Sequence, residues 1–313
     1  MNTAMPAVGR QTADAVLMLR PACFGYNAET AQTNPLQRPG AADAARAVVE
    51  FDGLARTLRA EGIEVAIVED TTTPAKPDAV FPNNWISFHA DGTVVLYPMQ
   101  PVSRRAERRP EVIESVCAAL GFRSTRVLDL SGAEREGRFL EGTGSLVLDH
   151  QTRTAYACLS PRTDADLVVR WCAEMGYAPI AFRAGDAAGM PWYHTNVMLS
   201  IGSQFAVVAA ESILDVDRPR VLQSLRDSGR DVIEIDRSEV AEFGGNVLEL
   251  ASWDEALGDT RVLVMSARAR AALSASAYSR LSGAVDTVLA VPVPSIETAG
   301  GGSVRCMLAE VFR

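Results

Sequence analysis

Five short turns, polar or rich in glycine, recur along this 313-residue chain at intervals of roughly 50–60 residues. They are Phe81-Pro82-Asn83-Asn84, Glu141-Gly142-Thr143-Gly144, His194-Thr195-Asn196, Gly244-Gly245-Asn246 and the segment Gly300 to Cys306. Each stands in a block of similar order: a strand, the turn, one or two strands, a helix and another strand. Ala41 to Ala60 reads as a helix, with Val48, Phe51, Leu54 and Leu58 near helical spacing and Gly62 after its end. Pro110 to Leu120 reads as another, stopped by Gly121. Strands are expected at Ala15 to Leu19, Ile63 to Val68, Trp85 to Phe88, Val94 to Pro98 and Arg126 to Leu130. A period of this length marks repeat architectures whose neighbouring units share one core. Five such units would set the turns around one axis and converge their polar side chains on one pocket. An ordinary α/β sheet with unrelated turns fits the same pattern, so both architectures stay open at this point.

The length admits one large domain or two ordinary ones, and 48% hydrophobic residues can supply a sizeable core. A net charge of −9 argues against a general nucleic-acid or membrane-surface binder. The five cysteines show no metal-ligand spacing, so a zinc site is not expected, and the thiols read as reduced in a cytoplasmic setting. No signal peptide or membrane span is expected. Residues 1–13 read as a flexible N-terminal tail, leaving 14–313 as a single domain. Pro21 to Gly40 reads as a long loop, and loops of that length often act as lids.

Chemistry concentrates on the turns. Cys306 follows Gly300-Gly301-Gly302, a bend placed after the β-rich run Val288 to Val293, and Arg305 beside it carries a charge that favours a thiolate. His194 sits among Trp192 and Tyr193 before an apolar strand, whereas His89 and His150 fall in turns and His89 reads as exposed. Glu141 heads its turn and precedes the apolar strand Leu146 to Leu148, where it can orient a histidine or grip a substrate N–H; a solvated loop carboxylate is the alternative. Asn83, Asn84, Asn196 and Asn246 are common turn residues, yet amides on converging turns also suit a planar neutral N–C(=O)–N group. The run Ser103 to Arg109 offers an arginine for a carboxylate, or simply a solvated helix start. Cys117, Cys158 and Cys172 read as buried, inert thiols.

Together these segments resemble the guanidino-group-modifying, or pentein, superfamily over essentially the whole chain after residue 14. Gly301-Gly302-Ser303-Val304-Arg305-Cys306 is similar to the cysteine motif of arginine deiminases. Glu141-Gly142-Thr143-Gly144 resembles their Glu-Gly-Gly-Asp turn without its final Asp, and His194-Thr195-Asn196 resembles the His-X-Asp turn with Asn for Asp. Asp78-Ala79-Val80-Phe81-Pro82-Asn83-Asn84 resembles the substrate turn of dimethylarginine dimethylaminohydrolases, with Asn84 where that pattern closes in Asp. Ser103-Arg104-Arg105 and Ser160-Pro161-Arg162 are similar to segments that supply arginines for a substrate carboxylate. The likeness is closest to bacterial citrulline-utilisation hydrolases, through Arg20-Pro21, Asn27-Ala28-Glu29-Thr30, Asn83-Asn84-Trp85 and the Gly-Gly-Gly-Ser ending.

The resemblance implies a five-bladed α/β propeller of pseudo-fivefold ββαβ repeats. It implies Cys306 as nucleophile, His194 as acid–base and Glu141 holding the imidazole or a substrate nitrogen, with no metal or organic cofactor, and with Asp78, Asn83, Asn84, Arg104, Arg162 and Asn196 binding a small amino-acid substrate. A homodimer fits the relatives. A buried guanidinium prefers carboxylates, and replacing one by an amide costs about 3–5 kcal/mol, so Asn84 and Asn196 favour a neutral ureido group. The expectation is therefore hydrolysis of citrulline to ornithine, ammonia and carbon dioxide. The alternatives are an arginine deiminase, a dimethylarginine-type hydrolase, an amidinotransferase or a binding-only pentein.

Overall fold

The computed structural model describes residues 9–40, 43–254 and 258–313. Strands β1 (Ala15–Arg20) and β2 (Glu64–Glu69) pair in parallel around the helix Ala44–Ala60. Then follow β3 (Ile86–Phe88), β4 (Thr93–Leu96), β5 (Arg126–Asp129), β6 (Leu146–Asp149), β7 (Thr154–Cys158), β8 (Ala178–Phe182), β9 (Leu199–Ile201), β10 (Phe205–Val208) and β11 (Asp231–Glu234). The chain ends with β12 (Leu248–Asp254), β13 (Gly258–Ser266), β14 (Thr287–Val291) and β15 (Ala309–Val311).

One pairing pattern recurs. In β3-β4-β5, β6-β7-β8, β9-β10-β11 and β12-β13-β14 the first pair is antiparallel and the second parallel. A fifth set joins the two ends of the sequence: β15 pairs antiparallel with β1, which pairs parallel with β2. The antiparallel pairs within the first four sets need only short connections, whereas each parallel pair needs a crossover helix. Pro110–Leu120, Ala165–Met175, Arg218–Asp227 and the pair Ala267–Ala272 and Ala275–Gly283 supply four, and Ala44–Ala60 the fifth. The helix Ala165–Met175 shows why these residues choose a helix. The Asp164 side chain caps its start by accepting from Leu167 N, and Leu167, Val168, Trp171, Cys172 and Met175 fall on one buried face. Removing a large buried side chain from such a face costs about 2–5 kcal/mol.

The expected tail over residues 1–13 needs correction at its inner end; residues 1–8 lie outside the described residues. Gln11, Thr12 and Ala13 are buried. Gln11 Nε2 donates to Leu148 O at 3.0 Å, and its Oε1 accepts from His150 N and Arg230. Arg230 is itself bound by both oxygens of buried Asp149, so this polar plug is fully paired. A short polar sequence looks like a tail until its partners from β6 and β9 are known.

All five turns lead directly into the first strand of a set. Pro82–Asn84 precedes β3, Gly142–Ser145 β6, Thr195–Val197 β9, Asn246 β12 and Val304–Met307 β15. The polar side chains of the turns are thereby carried on buried strand starts rather than on outer loops. The glycine run is placed differently from expectation. A helix, Pro294–Gly300, separates it from β14, and Cys306 therefore stands at the start of β15 rather than after a strand.

Candidate active site

A narrow cavity of about 20 Å³ is lined by Asp78, Asn84, Arg104, Arg162, Tyr193, His194 and Cys306, with Gly300–Gly302 and, from the 21–40 loop, Thr30 and Asn34. Three turns thus bring the expected nucleophile and histidine to one space. His194 Nε2 lies 2.8 Å from Glu141 Oε2. Glu141 is fully buried, and its backbone N–H donates to Arg162 O and Ser145 Oγ. Burial raises the Glu141 carboxyl, but Arg162 and His194 outweigh it and hold the group at about 2. Burial lowers His194 to about 4 despite Glu141, so the imidazole is neutral at pH 7. An ionised carboxylate can only accept, which fixes the proton on Nε2 and leaves Nδ1 as an acceptor. A Cβ at Gly144 would fall 2.8 Å from that Nδ1 and 2.6 Å from Asn84 Nδ2, so only glycine lets the two groups sit here.

The cationic residues are largely occupied. Arg104 binds Glu107 bidentately through Nε and Nη2 at 2.9 and 2.8 Å, and Nη2 also donates to Phe81 O. Burial raises the Glu107 carboxyl to about 7, and Glu107 in turn raises Arg104. Arg162 donates to Glu141 Oε2 at 3.4 Å, to Thr30 O at 2.8 Å and, through Nε and Nη2, to Thr33 Oγ1 at 2.9 and 2.7 Å. Each arginine keeps one uncommitted Nη1 hydrogen. Asp78 accepts from Asn27 and Thr30 through Oδ2, and burial pushes its carboxyl up.

The 21–40 loop packs over the cavity. Asn34 Nδ2 donates to Gly301 O, Gln37 Nε2 to Ala299 O, and Glu29 accepts from Val102 N and Ser103 N. Tyr193 Oη donates to the same Gly301 carbonyl at 2.6 Å.

The amides have fixed orientations, because their partners each play one role. Arg104 Nη1 can only donate, and it lies 2.7 Å from Asn84 Oδ1. Asn84 therefore turns its Nδ2 outward, giving one hydrogen to Asn83 Oδ1 and keeping one. Asn83 is fully buried behind it, with its own Nδ2 unpartnered. Asn196 Nδ2 donates to Thr143 O at 3.2 Å, and its Oδ1 lies 3.8 Å from Cys306 Sγ.

The chain from residue 20 to residue 313 matches the family described as N,N dimethylarginine dimethylhydrolase, eukaryotic. The chain belongs to this family. It is a pentein-superfamily member, and its family is one of hydrolases acting on guanidino C–N bonds. Among solved structures, apo ArgZ, an arginine dihydrolase from the ornithine-ammonia cycle in Cyanobacteria, matches with a TM-score of 0.74 at 17% identity, covering 96% of this chain and 40% of that one. The N-terminal domain of ArgZ with bound substrate matches at 0.73 and 17%, covering 96% and 98%. A dimethylarginine dimethylaminohydrolase, solved as an adduct with 4-chloro-2-hydroxymethylpyridine, matches at 0.63 and 16%, covering 95% and 99%. The chain thus spans less than half of full-length ArgZ and nearly all of its N-terminal domain. At these identities the likeness is one of fold. No curated protein matches the chain. Among the described residues no helix is long and apolar enough to cross a membrane, and no cluster of three or more His, Cys, Asp or Glu is suited to a metal.

Arg305 favours the Cys306 thiolate through its charge, while its hydrogen bonds go to Glu310 Oε2 at 3.0 Å and to Leu308 O. Within this dimethylarginine-hydrolase framework two expectations change. His89 is buried, not exposed, with Nε2 2.8 Å from Ser87 Oγ and its ring against Trp171. Arg104 meets Glu107 before it meets any substrate. Sequence reasoning also missed Glu107 and the contacts of Thr30, Thr33 and Asn34. Glu107 had a signal, the i,i+3 spacing from Arg104; the loop residues had none beyond their polarity.

Proposed function

We propose that this chain hydrolyses L-citrulline at its ureido carbon, with Cys306 as nucleophile, His194 as acid–base and Glu141 holding the imidazole. The orientation of Asn84 carries the choice of substrate. Its acceptor is taken by Arg104, so it offers the cavity an N–H. A ureido carbon bears a C=O that accepts this hydrogen. A guanidinium has only donors, and two donors facing each other in a buried site cost about 1–3 kcal/mol. Asp78, Arg104 and Arg162 then surround the amino-acid end. The five strand sets read as blades of one propeller domain whose axis carries the cavity.

The chemistry follows from the fixed tautomer. As Sγ bonds to the ureido carbon, its proton passes to His194 Nδ1. The terminal C–N bond breaks, and the departing nitrogen takes that proton and leaves as ammonia. The product on the enzyme is a thiocarbamate. Water then gives a proton to Nδ1 while its oxygen bonds the same carbon; the C–S bond breaks, and sulfur recovers its proton from the imidazolium. The released carbamate loses carbon dioxide to leave ornithine. Held in one cavity, these groups gain chiefly from proximity and orientation.

Arginine or an N-methylated arginine is the second reading, favoured by the Asp78 carboxylate and by the activity named for ArgZ. A product assay separates them: citrulline, arginine, dimethylarginine and agmatine incubated with the wild-type chain and with Cys306→Ala, scoring ornithine, citrulline and ammonia. Citrulline should yield ornithine only with the wild type. Ornithine release no faster than that of Cys306→Ala overturns the proposal.

A further inference from the structure

We propose that Asn246, on the fourth turn, is a catalytic residue that stabilises the negative charge the Cys306 sulfur gains as its proton leaves, by donating its side-chain N–H to it. The inference rests on the reading of Cys306 as the nucleophile and adds to it the group that makes the sulfur reactive.

Cys306 is 3% exposed, and burial pushes its thiol up. A thiolate there needs donors; Arg305 helps through its charge and Ser303 through a backbone hydrogen bond, but the hydrogen bonds of the nearby cations go elsewhere. Arg305 is bound to Glu310 and Leu308 O, Arg104 to Glu107, and Arg162 to Glu141 and the loop. His194 gives its Nε2 proton to Glu141. Asn246 Nδ2 lies 3.3 Å from Cys306 Sγ, closer than the amide oxygens Asn246 Oδ1 and Asn196 Oδ1, both at 3.8 Å. Among the described residues no other side-chain N–H donates to this sulfur. The orientation is not free. The other Nδ2 hydrogen goes to Asn196 O at 2.9 Å, and a backbone carbonyl only accepts, so a flipped amide would lose that bond.

The backbone fixes the amide equally firmly. Asn246 N donates to Phe243 O at 2.8 Å, and Phe243 takes the left-handed conformation at φ 64°. A Cβ at Gly245 would fall 2.6 Å from Val197 O, so the fourth turn lies directly on the third. Two turns from different strand sets are thereby locked together, and the sulfur from a third set receives the hydrogen.

The arrangement matters most for a neutral substrate. A guanidinium brings its own positive charge to the sulfur as it binds. A ureido group brings none, so the thiolate depends on donors already in place.

The test reads the thiol without any substrate. Iodoacetamide alkylation of Cys306, followed by peptide mass spectrometry across pH, gives the thiol's apparent pKa in the wild type, Asn246→Ala and Asn246→Asp. Asn246→Ala should alkylate about 10-fold more slowly at neutral pH, its profile moving about one pH unit upward, and Asn246→Asp should move further because an acceptor then faces the sulfur. Turnover per active site should fall at least in proportion, with KM little changed. If Asn246→Ala does not fold, Asn246→Ser serves: its shorter hydroxyl leaves the sulfur without the amide donor. An alkylation profile superimposing on the wild type in a folded variant overturns the role of Asn246. A wild-type Cys306 that alkylates no faster than buried Cys158 overturns the nucleophile on which the inference rests. Failure to turn over citrulline with a normal alkylation profile instead falsifies the substrate reading alone.

Discussion

The cavity has two halves built on different physics. On one side stand charges in closed pairs: Glu141 with His194 and Arg162, and Arg104 with Glu107. On the other stand amides: Asn84 lines the cavity, and Asn196 and Asn246 lie against the Cys306 sulfur. Charges in a dry site are costly unless paired, so the charged half satisfies itself and leaves little unused. Amides tolerate an unused donor far better, so the reacting group finds its free N–H there. On the proposed reading, the charged half supplies position and a proton acceptor, and the amide half supplies recognition of a neutral group.

The largest expected effect comes from opening the charged half. Glu141→Gln lets Nε2 lose its ionised acceptor and frees the imidazole to take the other tautomer. Turnover should fall about 10³-fold with a smaller change in KM, measured by steady-state ammonia release. Stability should follow. Glu141 sits at about 2 when folded against a reference of 4.5, so the unfolded chain binds its proton first as pH falls. Its contribution is fully present above pH 4.5 and is lost as pH falls toward 2, worth about 3 kcal/mol. His194, at about 4 against 6.5, acts earlier and with the same sign: the unfolded imidazole charges while the folded one stays neutral, so stability falls from pH 6.5 toward 4. Urea unfolding at pH 7, 5 and 3 should show both steps in the wild type and lose the lower one in Glu141→Gln. Equal slopes in the two proteins would break the assignment of Glu141 as the ionised partner.

Next comes conversion of an amide into a charge. Asn84→Asp keeps an oxygen for Arg104 Nη1 and turns an acceptor toward the cavity. Asn83 can accommodate it, because its unpartnered Nδ2 would supply a hydrogen on flipping. The ratio of kcat/KM for arginine over citrulline should rise about 10²-fold. A ratio that does not move shows that the substrate carbonyl is read elsewhere.

The parts of this division that sequence could reveal were those carried by single residues on recurring turns. Cys306, His194 and Glu141 each head a strand whose apolar run drives it inward, and period and composition disclose that much. The strand sets were legible for the same reason, apart from closure of the fifth, which joins β15 to β1 across nearly the whole chain. Partners were not legible. Arg305 reads as a cation for the thiol because the two are adjacent, and its charge does act there, but its hydrogen bonds go to Glu310 on the following strand, which sequence does not show. Asn246 looked like any turn residue because the sulfur it meets lies sixty residues away. His89 looked exposed because it borders a hairpin turn, and Trp171 of another set covers it.

A smaller effect sharpens the link between the halves. Glu107→Gln weakens the fork that holds Arg104, and Arg104 sets the orientation of Asn84. Citrulline kcat/KM should fall about 10-fold, with arginine affected less, because a loosened Asn84 amide presents donor and acceptor alike. Equal losses for both substrates would make Glu107 a structural support only.

The smallest effect tests how completely the charged half is closed. Thr33 Oγ1 accepts two hydrogens from Arg162, and Thr30 O accepts another, so the loop occupies the side of the guanidinium that would otherwise fork onto a carboxylate. A substrate carboxylate must then displace the loop or use the one Nη1 hydrogen left over. Thr33→Val removes the hydroxyl while keeping nearly the same shape. It leaves two buried Arg162 donors without a partner, a cost of about 1–3 kcal/mol in the empty protein that a bound carboxylate would relieve. The empty variant should melt lower than the wild type, substrate should raise its melting temperature by more, and KM should fall about threefold at unchanged kcat. If KM rises instead, Thr33 holds Arg162 in place for the substrate rather than competing with it, and the charged half is then a rigid template whose loop contacts are already those of the occupied site.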